Sequence, residues 1–254
     1  MMRSTTPDSR HINGAARALP NEVIRSLVCS LCLCLASWSA SSMAQALGAG
    51  IDQQAMYGGM DRTADPRLKA GDEEFIAAVT KEYGSREAAS QKWVDQGFVF
   101  YFQDNYAKAM QRFNQAWLLN PQNPDVFHGF AVVYHDEGHN CDARDMIVRA
   151  LDLGLKDPTV MADAGRIYTL CSVSDKKLDD QARASAFAES DALYAQAAAA
   201  APEVGYIYNS WATACYWRGD YARAWEMVAA ARDRGQQPAD QFISMLNKEM
   251  REPD

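Results

Sequence analysis

Apolar and small residues recur along this chain in a repeating order. Residues 90–123 carry Trp93, Gly97 and Phe100, then Ala109, Phe113 and Ala116, with Pro121 closing the stretch. Each trio marks one face of a helix, so the stretch predicts two helices joined by a turn. Thirty-four residues further on stand Phe127, Ala131, Tyr134, Ala143, Ile147, Ala150 and Leu155. A later copy reads Tyr208, Ala212, Cys215, Ala224, Val228, Ala231 and Gln236. The classes keep their order each time: aromatic, small, aromatic or thiol, alanine, bulky apolar, alanine. Gly97, Ala131 and Ala212 are small where a first helix must approach its second. Ala109, Ala143 and Ala224 reciprocate from the second helix.

These positions resemble the tetratricopeptide repeat over roughly residues 90–238, a period that marks a stacked array. The resemblance implies an all-α fold, a right-handed α-solenoid of about four helix-turn-helix units. The units fall at 90–123, 124–156, 157–204 and 205–237. The third is enlarged near 172–186, where extra polar residues lengthen either the turn or both helices. Gly219-Asp220-Tyr221 resembles the family's turn, and Gly138 and Asp104-Asn105-Tyr106 occupy the same place in the earlier units.

Flanking elements complete the plan. Asp65-Pro66 opens a helical segment, 65–89, with proline at the first helical position and a stop at Tyr83-Gly84. Residues 238–254 form a capping helix, as a solenoid needs at its end. Residues 47–64 show no helical period and are expected to be an extended arm.

The first 46 residues read as a targeting segment. Arg25 precedes an apolar run from Leu27 to Ala36, and Ala44-Gln45-Ala46 is a small-x-small sequence, so cleavage is expected after Ala46. The run falls short of the roughly 20 apolar residues of a stable membrane anchor. The expected location is the periplasm, with membrane tethering by an uncut signal anchor as the alternative. No direct membrane span is expected in the mature chain.

Charge narrows the partners. The 254 residues carry a formal charge of −8, and residues 47–254 hold 21 basic against 31 acidic residues. Such a surface repels phosphate backbones, which argues against nucleic acid. A protein or peptide partner is expected instead. Oligomeric state is left open, and no cofactor is implied.

In the tetratricopeptide family the inner face of each first helix lines a binding groove. Carried over, the resemblance selects Val94, Phe98, Tyr101 and Phe102 in the first unit, and His128, Val132 and His135 in the second. The third unit contributes Met161, Gly165, Tyr168 and Thr169, and the fourth Tyr206, Asn209, Tyr216 and Trp217. Aromatic residues dominate that face, and aromatics carry much of the energy at interfaces. The other reading is that the chain's own N-terminal segment fills the groove. Val94 and Phe98 stand where the family's carboxylate-clamping members use Lys and Asn, which argues against such a clamp.

Candidate chemistry is sparse. Adjacent helices of such a stack run antiparallel, so Cys141 and Cys171 fall at neighbouring helix ends. In an exported protein they are expected to form a disulfide. Cys215 stands at a core position, where a thiol behaves as a small hydrophobe. His135 to Cys141 is rich in metal-ligand types, but it coincides with a turn, and turns collect polar residues for backbone reasons. No catalytic motif stands out, and no metal ligand set is assigned. The leading expectation is a scaffold or adaptor in envelope assembly or secretion. The alternatives are a specific inhibitor of immunity type, or a metal-handling accessory protein centred on His128, His135 and His139.

Overall fold

The computed structural model describes residues 50–253, so the expected signal segment and its cleavage point lie outside the described residues. Ten α-helices run between Pro66 and Glu249, with no strand among the described residues. None of these helices is long and apolar enough to cross a membrane.

Local chemistry sets where several helices begin. Helices α1 (Pro66–Tyr83), α4 (Pro124–Asp136) and α6 (Pro158–Ser174) each start with proline behind an Asp or Asn cap. Proline costs nothing there, because the first N–H groups of a helix have no internal partner. The Asp65, Asn123 and Asp157 side chains accept hydrogen bonds from N–H groups two residues on. Ser85 caps α2 (Arg86–Tyr101) and Asn105 caps α3 (Tyr106–Leu119). The first helix of the repeat region thus starts four residues before the expected unit boundary.

Consecutive helices pack as pairs: α2 with α3, α4 with α5 (Asn140–Asp152), α6 with α7 (Asp180–Ala200), and α8 (Gly205–Trp217) with α9 (Tyr221–Asp233). Each second helix also touches the next first helix. The first helices touch one another in series, α2 to α4 to α6 to α8. This arrangement is consistent with an α-solenoid.

The close approach depends on missing side chains. A Cβ on Gly97 or on Gly129 would lie under 3.0 Å from the ring of Phe113, which is fully buried. One aromatic ring from α3 therefore wedges between α2 and α4. Gly165 of α6 stands in the same relation to Tyr194 of α7. Ala109, Ala131, Ala143, Ala212 and Ala224 are all fully buried.

Two large apolar clusters and a smaller N-terminal one, around Val79, Ala89 and Leu119, form the core. Of the large ones, the first centres on Phe113, Phe130, Ile147 and Ile167, the second on Tyr194, Ile207, Val228 and Leu246. Helix α6 feeds both, through Ala164 and Ile167 on one side and Ala162 on the other. At the N-terminal end, Trp93 meets Phe75 and Tyr83 of α1 edge-on, with ring centroids 5.4 and 5.8 Å apart. At the C-terminal end, α10 (Asp240–Glu249) buries Leu246 and packs Phe242 and Ile243 on the second cluster.

The enlargement near 172–186 resolves into longer helices. Helix α6 has 17 residues and α7 has 21, whereas α8 and α9 have 13 each, and only residues 175–179 connect the enlarged pair. Arg183 donates to the carbonyls of Ser172, Asp175 and Leu178, tying that connection down.

The described part of the expected extended arm, residues 50–64, departs from that expectation. Ala55–Gly59 and Arg62–Ala64 are wound into short 3-10 turns, and Ala55 and Tyr57 are buried. Helical periodicity cannot reveal so short a turn. Asn114 of α3 holds it by side-chain bonds to backbone. Its Nδ2 donates to the carbonyls of Asp52 and Gln54, each at 2.9 Å, and its Oδ1 accepts from the Tyr57 N–H at 3.2 Å.

Cys141 at the start of α5 and Cys171 near the end of α6 bring their Sγ atoms to 2.09 Å, the disulfide distance, with Cα atoms 4.7 Å apart. Cys215 is buried and unpaired, and burial pushes its thiol up to about 12.

Three stability outcomes follow from this packing. Alanine at Gly129 gains about 1 kcal/mol of helix propensity, but overpacking against Phe113 costs about 1–3 kcal/mol. Denaturant titration is expected to show net destabilisation for Gly129→Ala. Gly71→Ala, on α1 with nothing within 4 Å of the new Cβ, is expected to stabilise by up to about 1 kcal/mol. Reduction of Cys141–Cys171, which closes a separation of 30 residues, is expected to cost roughly 3–4 kcal/mol of stability. Parallel denaturation of reduced and unreduced protein measures it.

Candidate functional site

The first helices of the four pairs contribute one continuous face. Between them lies a cavity of about 360 Å³. Phe98, Tyr101 and Phe102 form one wall from α2 and the residue that caps it, with His128 and Val132 of α4 beside them. The opposite side is polar: Thr159, Asp163 and Arg166 of α6, and Tyr206 of α8.

The aromatic wall is mutually braced. Phe98 meets Tyr101 edge-on at 6.3 Å and lies 5.4 Å from the His128 ring. Phe102 is 78% exposed, the most open of the large apolar side chains in the described residues. Such a position costs free energy in water and is regained when a partner covers it.

Asp163 organises the polar side. It is 8% exposed. His128 Nε2 lies 3.2 Å from its Oδ2, and the Arg166 guanidinium donates to its Oδ1 at 3.2 Å. The Tyr206 hydroxyl donates to the same Oδ1. A buried carboxylate persists only when its lone pairs are met this way. Burial alone would raise the Asp163 carboxyl. The hydrogen bond from His128, the Arg166 charge and the Tyr206 hydroxyl outweigh burial and hold it below the usual aspartate range. Burial likewise works against the Arg166 charge, but Tyr206 and Asp163 beside it raise its pKa. Arg166 Nε has no hydrogen-bond partner among the described residues. The Tyr206 hydroxyl is raised by burial and then by Asp163. Tyr101, raised by burial, donates to Asp136 Oδ2 at 2.7 Å.

Six of the expected groove residues meet here: Phe98, Tyr101, Phe102, His128, Val132 and Tyr206. Val94 does not reach the face; it is buried in the core among residues that pack on Phe113. His135 is half-buried, with Nδ1 3.0 Å from Asn140 Oδ1. Burial lowers its pKa. Tyr168 packs against the first core cluster, outside the cavity. Asn209 is half-buried on α8, with its carbonyl accepting from the Thr213 hydroxyl. Tyr216 and Trp217 form a separate aromatic group with Tyr221 and Phe242 at the C-terminal end. Trp217 is 48% exposed there.

Gly165 and Thr169 also leave the expected face. Gly165 faces Tyr194, and the buried Thr169 bonds Ser190. Asp163 and Arg166 take the places on the groove instead. Arg166 stands 34 residues after Val132, which stands 34 after Phe98, so a strict period finds it. Starting the third unit at 157 slips the register by one residue, and one residue rotates a helix face by about 100°.

The three histidines of the metal-handling alternative have separate partners: His128 with Asp163, His135 with Asn140, and His139 with Asp142. Among the described residues no three His, Cys, Asp or Glu side chains come together as metal ligands. No family model matches the chain, and comparison with curated proteins gives no match.

The lowered Asp163 pKa has a definite sign in stability. The folded state holds the carboxylate ionised where the unfolded chain would protonate it. The contribution is therefore present above the ordinary aspartate value of 3.8 and lost as pH falls through the lower folded value. Asp163→Asn is expected to flatten that acid limb in a denaturation series run from pH 5 downward, and to lower stability at neutral pH.

Proposed function

We propose that the four helix pairs are tetratricopeptide-like units of a right-handed solenoid, and that the chain is an exported scaffold holding another polypeptide against its inner face. The observation that carries this reading is Phe102, 78% exposed beside the half-buried Phe98 and Tyr101, at a cavity lined by the first helices of all four pairs. Aromatic side chains bury large areas at low entropic cost, which is why they anchor interfaces.

Two further features support it. The described part of the N-terminal segment packs on Asn114 and Tyr134, and it contacts none of the cavity residues through its hydrogen bonds. The groove's own polar groups are held by one another around Asp163, so the polar side is already oriented before a partner arrives. The occupant in this reading is an extended or helical segment with an apolar or aromatic anchor. That anchor lies against Phe102, and polar atoms of the segment face Arg166. The signal-like first 46 residues make an envelope protein of the periplasm the expected partner.

A photo-crosslinking residue at Phe102, and separately at Trp217, tests this in the protein's own cell. One envelope protein captured at both positions is the expected outcome. Phe102→Ala is expected to weaken its binding by about 2 kcal/mol, some thirtyfold, as for an interface hot spot. Capture of only residues 50–83 of the same chain at Phe102 would overturn the reading.

A further inference from the structure

A second cavity, of about 490 Å³, shares no lining residue with the groove. It lies between the turn at 55–59, helix α1 and helix α3. Four cations face it: Arg62, Arg67, Lys108 and Arg112. Only two carboxylates do, Asp52 and Asp72. This is a positive cavity in a chain whose formal charge is −8.

The cations divide by how they are held. Arg62 is spoken for: its Nε and Nη2 donate to both oxygens of Asp72 at 2.7 and 2.6 Å, and its guanidinium lies 4.0 Å over the Tyr57 ring. Arg67 pairs with Asp65 in an exposed position. Lys108 and Arg112 have no acidic partner among the described residues. They stand four apart on α3, where like charges repel, and both lie over the Phe100 ring, at 5.4 and 5.9 Å from its centroid. Arg112 Nη1 donates only to the neutral Gln115, at 2.7 Å. Two uncompensated cations are thus held side by side against an aromatic face at the cavity wall.

The opposite wall depends on an unusual backbone. Met56 and Tyr57 are both left-handed, each at φ 53, a conformation side chains disfavour. The three bonds to Asn114 hold it there. The result seats Tyr57 beneath Arg62 at the cavity edge. Strain retained in this way concentrates at sites that use the resulting geometry.

We infer that this cavity binds a small organic anion, a phosphate or carboxylate group carried on an apolar body. The anionic oxygens meet Lys108 and Arg112, which relieves their repulsion and adds charge-assisted hydrogen bonds. The apolar body covers Phe75, Leu68 and Leu118, which line the same space. The inference stands independently of the groove reading, since none of its residues lies on that face.

Calorimetric titration of the purified protein with phenyl phosphate, phenylacetate and inorganic phosphate tests it. Saturable one-to-one binding of phenyl phosphate or phenylacetate, tighter than that of inorganic phosphate, is expected. The preferred aromatic anion identifies the group. Binding is expected to weaken with added salt. It is expected to weaken at least about tenfold in the double variant Lys108→Ala/Arg112→Ala, whose melting temperature reports that it still folds. Phe102→Ala is expected to leave it unchanged. No saturable binding of either aromatic anion, equal affinity for inorganic phosphate, or unchanged affinity in the double variant would each overturn the inference.

Discussion

The Phe113 ring fills the space that Cβ atoms on Gly97 and Gly129 would need, and the spacing of the first two helix pairs depends on that contact. With glycine on both flanking helices, α3 seats one ring between α2 and α4 with no gap. Tight interiors tolerate neither a void nor an extra methyl group without loss. The contact places Phe98, one residue after Gly97, and Val132, three after Gly129, on one face. Gly165 and Tyr194 repeat the device in the third pair. There it presents Asp163 and Arg166 to the same cavity.

Once the first helices are aligned, their polar residues meet without being neighbours in sequence. Asp163 gathers His128 from 35 residues before it and Tyr206 from 43 after it. Each interaction serves two ends. It keeps a buried carboxylate ionised, and it fixes the orientation of a side chain that lines the groove. On the aromatic wall opposite, Tyr101 is held by its bond to Asp136, while Phe102 is left open. A rigid polar side and an uncovered apolar side together make a surface suited to a partner that brings its own apolar anchor.

The second helices and the N-terminal turn form a different chemical surface. Asn114 is fully buried, and it spends its amide on the backbone of residues 52–57. That anchorage lets two left-handed residues persist and carries Arg62 to a cavity otherwise built mainly from α1, α3 and Phe100 of α2. The two cavities therefore differ in origin. The groove is a consequence of the repeat, while the positive cavity exists because a segment outside the repeat folds back on α3.

Helix content, the pairing of helices and the positions of small residues were legible in the sequence, because each reflects a local rule that recurs. Aromatic, small and alanine positions recurring 34 apart read as a stacked helical array, and proline behind Asp or Asn marks the starts of α1, α4 and α6. The cysteine pair was legible for the same reason, since its two members fall at adjacent helix ends. Tertiary structure alone decided the rest. Val94 looked like a groove residue and is core: it shares the stripe of Phe98 and Tyr101, four and seven residues on, but packing in the first cluster covers it while they line the cavity. Arg166 escaped notice through a slip of one residue, which turns a helix by about 100° and which the strict 34-residue period corrects. Asp163 falls at no groove position in either register, and only packing brings it to His128 and Tyr206. The turn at 55–59 has no period to read. Its conformation comes from contacts with Asn114 and Tyr134, 57 and 79 residues from their bonded partners, and no local pattern encodes a bond at that distance.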